Sequence, residues 1–281
     1  MIANFMKLVL SRNNLLDGHY IELYAGGAAI AWSLLFEEYV RHVHINDLNK
    51  SVYAFWQSVL EKTDDLCRLV WDTRVSMRQW HRQRLIQAHP DEYSQLELGF
   101  STFFLNRTNR SGILNAGVIG GKKQRGEWKI DARYNKADLV GRIQKLAAYR
   151  GRIHLYNLDA AQFIKSHLRH LPKKTLVYMD PPYYVKGRDL YEDHYCHEDH
   201  VEVAKLVSTK IRQPWIVSYD AVKEIKRLYK GTKAIEYRLS YSAQDRYAGS
   251  EIMYFAKSLN LPKIKSPTQI SPREFKQQLV C

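Results

Sequence analysis

The sequence is poor in cysteine and contains no long apolar run. Its 281 residues include three cysteines, Cys67, Cys196 and Cys281, which lie far apart and are odd in number. This pattern favours neither a disulfide framework nor a zinc site. No apolar segment is long enough to span a bilayer, and no segment resembles a signal peptide. We therefore expect a soluble, cytoplasmic protein that holds no metal and does not associate with membranes.

Acidic residues are also scarce relative to basic ones. The 43 Lys and Arg residues exceed the 29 Asp and Glu residues, which gives a net charge of +14. Between Arg107 and Arg152, twelve basic residues face only three acidic ones. A generally basic surface would spread the excess, whereas a concentrated excess is typical of a surface that binds a polyanion. The charge distribution therefore predicts a nucleic-acid-binding face in this segment.

The hydrophobic pattern at the start of the chain is typical of an α/β fold. Short apolar strands are predicted at 19–25 and 43–47, and helices at 28–39 and 49–60. Strands that alternate with helices favour a parallel sheet, because each helix provides the crossover between neighbouring strands. We interpret residues 1–60 as the first part of this α/β domain.

The alternation stops after residue 60 and resumes near residue 151. Residues 61–150 are predicted to form an insert of polar helices, in which Ser111–Gly126 and Trp128–Tyr134 pair as a hairpin. Residues 151–259 continue the α/β domain and end in an antiparallel strand pair. The tail, 260–281, contains prolines and lysines and is predicted to be loosely ordered.

A glycine turn follows the first strand and an acid follows the second. Gly26-Gly27 ends the first strand, and Asp47 lies 21 residues after Gly26. Such a turn lets the backbone approach a ligand, and an acid at this spacing typically accepts hydrogen bonds from ribose hydroxyls. An ordinary turn, with Asp47 as the cap of the helix that begins near Asn49, is the alternative. No third glycine is present to cradle a pyrophosphate, so S-adenosylmethionine suits this turn better than NAD.

The most informative segment is a buried strand that ends in Asp180-Pro181-Pro182-Tyr183. The two prolines make the loop stiff and remove two donors. The carboxylate of Asp180 and the carbonyl of Pro181 provide two acceptors, and Tyr183 provides a flat aromatic face. This set suits an amino group on a planar heterocycle.

The chemistry of such an amine explains the pattern. The lone pair of the adenine amine is delocalised into the ring, and two acceptors that grip its N–H groups direct the lone pair towards a methyl donor. Stacking on Tyr183 would orient the base, which must first leave the duplex. A strand-ending turn with packed tyrosines is the alternative, and the upstream Gly26-Gly27 and Asp47 disfavour it.

Six motifs occur along the chain in the order Glu22–Gly27, Asn46–Asn49, Asn106–Gly112, Gly126–Trp128, Asp180–Tyr183 and Ser218–Asp220. With these motifs in this order, the sequence resembles the Dam-type, or D12-class, DNA adenine N6-methyltransferases. The resemblance implies a class I S-adenosylmethionine-dependent methyltransferase sheet, which is Rossmann-like, with an inserted helical target-recognition domain. It implies S-adenosylmethionine as cofactor, double-stranded DNA as partner and GATC as recognition sequence.

The resemblance and the residue pattern together define three groups of candidate site residues. The catalytic group is Asp180, Pro181, Pro182 and Tyr183. The cofactor group consists of Glu22, Tyr24, Ala25, Gly26, Gly27, Asp47, Leu48, Asp159 and Asp180. In the DNA-binding group, Arg107, Lys122, Lys123 and Arg125 are candidates for phosphate contacts, and Asn109, Arg110, Asn115 and Trp128 are candidates for base contacts.

Alternatives remain open at this point. The chain begins Met1–Lys7 without the family's Trp/Tyr-x-Gly-Gly-Lys motif, so a homologue that binds cofactor and DNA without turnover competes with an active enzyme. Cytosine N4 and RNA are alternative substrates, whereas the basic insert argues against a protein glutamine. Trp128 is either a probe of the DNA or part of the insert's own core, and the basic segment as a whole is either a reader of sequence or only an electrostatic clamp.

Overall fold

The computed structural model describes residues 2–185, 195–239 and 249–280, and the chain divides into two compact units. One unit combines Met1–Leu48 with Leu158–Cys281, and the other comprises Asn49–Asn157. The second unit therefore begins earlier and ends later in the sequence than the predicted insert of 61–150. The difference arises because the helix that starts at Lys50 and the short strand that ends at Tyr156 fall within the second unit.

The described helices and strands alternate at both ends of the chain. In chain order they are α1 (Ile2–Arg12), β1 (Gly18–Glu22), α2 (Ala29–Phe36), β2 (Val40–Asn46), α3 (Lys50–Glu61), α4 (Thr63–Asp72), α5 (Met77–Ala88), α6 (Gln95–Thr108), α7 (Lys136–Ala148), β3 (Ile153–Tyr156), α8 (Ala160–Ser166), β4 (Thr175–Met179), α9 (His197–Thr209), β5 (Trp215–Asp220), α10 (Lys223–Leu228), β6 (Lys233–Leu239), β7 (Gly249–Phe255) and α11 (Pro272–Val280).

The first unit contributes six strands to a mostly parallel sheet, in the order β2-β1-β4-β5-β7-β6. β1 pairs in parallel with β2 and β4, and β4 pairs in parallel with β5. β7 is antiparallel to both β5 and β6. The predicted α/β fold and its final antiparallel pair are thus confirmed. Because the carboxyl ends of parallel strands meet at one edge, the segments after β1, β2, β4 and β5 are neighbours there.

The centre of this sheet is fully buried. All five residues of β4 and all six of β5 are buried, and both strands are rich in apolar and aromatic side chains. Continuous apolar strands of this kind are typical of parallel sheets that are covered on both faces.

A buried asparagine joins the ends of the neighbouring strands. The side-chain amide of Asn46, the last residue of β2, donates to the carbonyl oxygens of Leu23 at 3.0 Å and Leu158 at 2.9 Å. Its side-chain oxygen accepts a hydrogen bond from the backbone N–H of Leu158 at 3.0 Å. Asn46 therefore ties the end of β2 to the residue after β1 and to the segment before α8.

The two ends of the chain meet, which the local sequence pattern does not predict. The guanidinium of Arg12 in α1 donates to the side-chain oxygen of Gln278 in α11 at 2.8 Å. Asn13 and Asn260 exchange two further hydrogen bonds of 2.9 and 2.7 Å. The prediction of a loosely ordered tail is therefore wrong for α11. Local composition misled it, because the partners that hold the tail lie more than 240 residues away in sequence.

The second unit is helical, and its helices carry the expected caps. Asn49 caps α3 by accepting hydrogen bonds from the backbone N–H groups of Ser51 and Val52. A capping box between Ser94 and Glu97 begins α6. Both satisfy N–H groups that a helix end leaves without partners.

The predicted hairpin in this unit is wrong. Within residues 109–135, all of which the structure describes, strand pairing is limited to one bridge between Asn109 and Val118. The loop is held by Gln124 instead. Its side-chain amide donates to the carbonyl oxygens of Ile119 and Gly121, and its side-chain oxygen accepts from the N–H of Ile130. The turn residues do interrupt the helices as predicted, but side-chain hydrogen bonds replace the ladder.

Among the described residues, no helix is both long enough and apolar enough to cross a membrane.

The bridging role of Asn46 leads to a prediction about stability. Asn46→Ala leaves the buried carbonyl of Leu23 and the partly buried N–H and carbonyl of Leu158 without their side-chain partner, so we expect the free energy of unfolding to fall by about 2–4 kcal/mol. Chemical denaturation measures this change. Gln162→Ala is the control, because Gln162 is exposed on α8 and its loss should change the unfolding free energy by no more than about 0.5 kcal/mol. Equal stabilities of the two variants would contradict the assigned role.

Candidate active site

The glycine turn after β1 is shaped by its neighbours and leaves room for a ligand. Gly26 has a φ of +47°, and its N–H donates to the carboxylate of Asp47 at 2.8 Å. A Cβ atom placed on Gly26 or Gly27 would meet no heavy atom of the protein within 4 Å. Ala28, with a φ of 48°, then leads into α2. The turn is therefore open on the side where side chains would otherwise stand.

Glu22 supports this turn from below. It is buried, and its carboxyl oxygen accepts a hydrogen bond of 2.9 Å from the N–H of Ala31 in the first turn of α2. Burial raises the pKa of Glu22 to about 8, although the hydrogen bond from Ala31 opposes the shift. The predicted cofactor residue Glu22 thus ties β1 to the start of α2 on either side of the glycines.

The place of Asp47 distinguishes between its two interpretations. The cap of α3 is Asn49, whose side chain accepts from two backbone N–H groups. The carboxylate of Asp47 accepts from Gly26. The helix-cap alternative for Asp47 is therefore wrong, and its carboxylate lies beside the open glycine turn, where a bound hydroxyl group would meet it.

A cleft next to this turn contains two more of the predicted cofactor residues. Leu48 is 45% exposed and lines it, together with Asp159, which also caps α8 through the N–H of Gln162. The hydroxyl groups of Tyr24 and Tyr195 are 3.0 Å apart. The cleft has three carboxylates, of which Glu202 is paired with Lys165, so the remaining excess of negative charge favours a ligand that carries positive charge. The cleft has a volume of about 260 Å³ and is lined by Leu48, Asp159, Ala161, Tyr195, Asp199, Glu202 and Val203.

Asp180 lies just beyond β4 and is held by β5. The hydroxyl group of Ser218 donates to the carboxylate of Asp180 at 2.7 Å, and the hydroxyl of Tyr178 lies 2.8 Å from that of Ser218. Asp180 is exposed as a whole residue, but burial of its carboxyl group raises the pKa of that group to about 6. The hydrogen bond from Ser218 opposes this shift, and the nearby charge of Glu251 adds to it.

The residues after Asp180 are also fixed. Pro181 is buried, and Pro182 and Tyr183 are partly buried. The hydroxyl group of Tyr183 donates to the carboxylate of Glu251 at 2.6 Å. The predicted catalytic residues thus form one continuous loop at the carboxyl edge of the sheet, beside the glycine turn after β1.

Sequence reasoning missed three residues that hold this loop, namely Ser218, Asp220 and Glu251. Asp220 accepts hydrogen bonds from the backbone N–H groups of Tyr184 at 3.0 Å and Val185 at 3.1 Å. A signal for two of the three was present, since Ser218 and Asp220 end the strand next to β4 and both belong to a motif noted above. No such signal marked Glu251. It lies near the beginning of β7, which is antiparallel to β5, so the first residues of β7 and not its last lie at the site.

The structure divides the eight DNA-binding candidates, all in the second unit, by exposure. Trp128 is 67% exposed, so the alternative that it packs into the core of its own unit is wrong. Asn109 is buried, accepts a hydrogen bond from the indole of Trp80 at 2.7 Å and donates to two backbone carbonyls. We therefore remove Asn109 from the set. The other exposed members are Arg110, Asn115, Lys122, Lys123 and Arg125.

Arg107 occupies an intermediate position. It is partly buried, and burial lowers the pKa of its guanidinium, as do the neighbouring charges of Arg133 and Arg142. Its Nε atom has no hydrogen-bond partner among the described residues. Three guanidinium groups in proximity, with one of them incompletely bonded, are compatible with an anionic partner, and the assignment of Arg107 to a phosphate contact stays a prediction.

Comparison with known families decides the class of protein. Residues 2–243 match the family described as D12 class N6 adenine-specific DNA methyltransferase. The chain belongs to this family. As a D12 methyltransferase it is an enzyme that transfers methyl groups from S-adenosylmethionine, and its family indicates DNA as the substrate.

Other comparisons are distant. No curated protein matches the chain. An S-adenosylmethionine-dependent methyltransferase from Agrobacterium tumefaciens shares 10% identity, with 90% of this chain and 61% of that chain covered and a TM-score of 0.41. The rRNA methyltransferase aviRa from Streptomyces viridochromogenes shares 11% identity, with coverages of 89% and 83% and a TM-score of 0.37. At these values the structural similarity supports no functional conclusion.

The residues of this D12 methyltransferase fit its cofactor. S-Adenosylmethionine supplies an electrophilic methyl group on a sulfonium, and it carries ribose hydroxyls and no pyrophosphate. The open turn at Gly26 and Gly27 offers space without a phosphate cradle, and Asp47 offers an acceptor beside that space. The acidic cleft lined by Leu48 and Asp159 suits a positively charged ligand.

The position of Asp47 yields a prediction about cofactor affinity. Asp47→Ala removes a charge-assisted acceptor, which is worth about 1.5–3 kcal/mol. The dissociation constant for S-adenosylmethionine should therefore rise by about one to two orders of magnitude, as measured by calorimetry. Asn49→Ala is the matched control. It removes the cap of α3 and should lower stability by about 0.5–2 kcal/mol with the cofactor affinity unchanged. If only Asn49→Ala weakened binding, the assignment of Asp47 would fail.

Proposed function

We propose that this D12 methyltransferase transfers the methyl group of S-adenosylmethionine to the exocyclic N6 amine of an adenine that is flipped out of double-stranded DNA at a specific sequence. The observation that carries the proposal is the loop after β4. Asp180 is held by Ser218, the backbone is stiffened by Pro181 and Pro182, and Tyr183 is anchored through its hydroxyl group.

The loop accounts for the chemistry that an aromatic amine requires. The carboxylate of Asp180 and the carbonyl of Pro181 accept the two N–H groups of the amine, which directs the nitrogen lone pair out of the ring. Tyr183 stacks on the base and fixes its plane. The amine loses one proton for each methyl group it gains, and the carboxylate of Asp180, with a pKa raised to about 6, is positioned to accept it. Holding the amine in line with the methyl group lowers the barrier further.

Adenine in DNA is favoured over the other amines. The same pair of acceptors would grip the amine of cytosine N4 or an amine in RNA, so the loop by itself does not select among them. The family match favours adenine in DNA. The hydrogen bond from Ser218 already holds the carboxylate of Asp180 in place as an acceptor. This favours an active enzyme over a homologue that binds cofactor and DNA without turnover.

The second unit is the proposed target-recognition domain. Lys122, Lys123 and Arg125 are exposed on a loop that Gln124 holds from within, and Trp128 projects from the same loop. Flexible cations on a fixed loop suit phosphate groups, and an exposed tryptophan suits a base or the gap that a flipped base leaves. We propose double-stranded DNA as the partner of this surface.

Loss of the amine acceptor tests the function. Asp180→Ala should reduce methyl transfer to duplex DNA at least about 100-fold, because it removes both a hydrogen-bond acceptor and the proposed base. Radiolabelled cofactor, followed by nucleoside analysis for N6-methyladenine, measures the product. DNA affinity should be unchanged, since Asp180 contacts no phosphate in the proposed complex. Methylation of cytosine instead of adenine by the wild type, or near-normal turnover of the variant, would refute the proposal.

The pKa of Asp180 predicts a pH dependence. Its carboxyl group must be ionised to accept the amine protons, so the single-turnover rate should fall as the pH drops through about 6. Ser218→Ala removes the hydrogen bond that lowers this pKa and should shift the falling limb to higher pH. A rate that is independent of pH between about 5 and 8 in both proteins would contradict the role of the carboxylate.

The exposed loop of the second unit predicts two classes of variant. Neutralising Lys122, Lys123 or Arg125 should weaken binding to every duplex and reduce the slope of log affinity against log salt by about 0.9 for each phosphate that is no longer neutralised. Trp128→Ala should weaken binding to the cognate duplex by about 1–3 kcal/mol and leave binding to a scrambled duplex unchanged. If all four variants bound both duplexes with equally reduced affinity, this loop would be only an electrostatic clamp.

A further inference from the structure

Three polar side chains form one row across the last three strands of the sheet. Asp220 at the end of β5 pairs directly with Glu251 in β7, and Glu251 pairs directly with Tyr237 in β6. Directly opposed residues of antiparallel strands project to the same face. The row therefore places two carboxylates next to each other on the face that the loop after β4 covers.

Each carboxylate holds a different part of that loop. The two oxygens of Glu251 accept hydrogen bonds from the hydroxyl groups of Tyr183 at 2.6 Å and Tyr237 at 2.9 Å. The two oxygens of Asp220 accept from the backbone N–H groups of Tyr184 and Val185. Three consecutive residues, 183–185, are thus fixed by one side-chain contact and two backbone contacts.

Both carboxylates are removed from water. Glu251 is 5% exposed and Asp220 is 9% exposed. Burying a carboxylate is unfavourable unless it is hydrogen-bonded, and a well-packed apolar residue of similar volume often stabilises a protein as well or better. Stability alone therefore does not account for two buried acids at this place. The hydrogen bond from Tyr183 to Glu251 is short, at 2.6 Å, and the bidentate contact of Asp220 engages two successive backbone N–H groups, which suits the fixing of geometry.

We propose that Glu251 and Asp220 are positioning residues for methyl transfer, which together hold the ring of Tyr183 at a set angle beside Asp180 so that the flipped base meets a preformed stacking surface. This proposal rests on the proposed function. A tyrosine ring that is free to turn would lose its rotational freedom when a base stacks on it, and a ring held in advance avoids that loss. Displacement of the base by about 1 Å is enough to slow such a reaction about 100-fold.

Glu251 has a second effect on the same site. Its negative charge raises the pKa of Asp180, whereas the hydrogen bond from Ser218 lowers it. Removal of the charge at residue 251 and removal of the hydroxyl at residue 218 should therefore move the pH–rate profile in opposite directions. Substitution of a residue that only stabilised the fold would not shift the pH–rate profile in either direction.

The first experiment is a double-mutant cycle on methyl transfer to duplex DNA. Tyr183→Phe keeps the stacking ring and loses the anchor, and Glu251→Ala loses the carboxylate. Each should lower kcat about tenfold or more with KM for DNA nearly unchanged, and the double variant should be no slower than the slower single variant. Tyr254→Phe is the matched control, because its hydroxyl is buried in the same strand and has no hydrogen-bond partner among the described residues. Its kcat should equal that of the wild type.

The second experiment separates the effect of the negative charge of Glu251 from the effect of its size and hydrogen bonding. Glu251→Gln keeps an acceptor of similar size, so it should retain much of kcat while its pH–rate limb shifts to lower pH, opposite to the shift of Ser218→Ala. Effects of Tyr183→Phe and Glu251→Ala that multiply in the double variant would overturn the proposal. So would an unchanged kcat for Tyr183→Phe, which is the variant least expected to unfold.

The third arm does not depend on the substrate. In protein labelled with ¹³C at the tyrosine Cζ atoms, the NMR signal of Tyr183, assigned by its disappearance in Tyr183→Phe, should shift in Glu251→Gln and stay in place in Tyr254→Phe. If the wild type methylates no adenine but this shift is seen, the proposed function fails and the contact between Glu251 and Tyr183 stands. If adenine is methylated and the signal does not shift, the positioning proposal fails alone.

Discussion

The site depends on the parallel pairing of β4 with β1 on one side and β5 on the other. This pairing brings the segments that follow three strands to one edge of the sheet, although they are distant in sequence. The glycine turn, Asp180 and the residues that hold Asp180 all lie at this edge. The register of these strand pairs determines where the polar groups at their ends lie.

Several buried polar groups lie at or near this edge of the sheet. Glu22, Asn46, Ser218, Asp220 and Glu251 are all buried, and each has at least one hydrogen-bond partner. Such networks are less favourable than an apolar core if any member is left unpaired. The arrangement thus gives up some stability in exchange for fixed directions of hydrogen bonds, which is the property that a reaction at an amine requires.

The second unit contains a loop that side-chain hydrogen bonds stabilise. The loop of residues 119–130 has no strand ladder, and the side chain of Gln124 holds it through three hydrogen bonds. Gly120 is required in this turn, since its φ is +81° and a Cβ atom there would stand 2.6 Å from the carbonyl oxygen of Trp128. A loop that is held from within leaves its outer residues free to meet a partner, which explains why Lys122, Lys123 and Trp128 are exposed together.

Much of the architecture follows from local pattern. The period of the apolar residues predicts the strands and helices, the spacing of Gly26 and Asp47 predicts a ligand site between two strand ends, and Asp180–Tyr183 predicts an amine-binding loop. These signals are readable because each depends on residues that are close in sequence. The family resemblance rests on the same segments and was confirmed over residues 2–243.

Short sequence motifs specify which chemistry the chain carries, whereas long-range folding selects the side chains that support it. Trp128 and Asn109 both belong to the group predicted to contact bases, yet one is exposed and the other is buried and bonded to Trp80. The hydrogen bond between Tyr183 and Glu251 joins two residues that are 68 apart in sequence, one in the loop after β4 and the other in β7. Such contacts are invisible to local pattern, because burial and partners are set only when distant strands pair and bring their side chains to the same face.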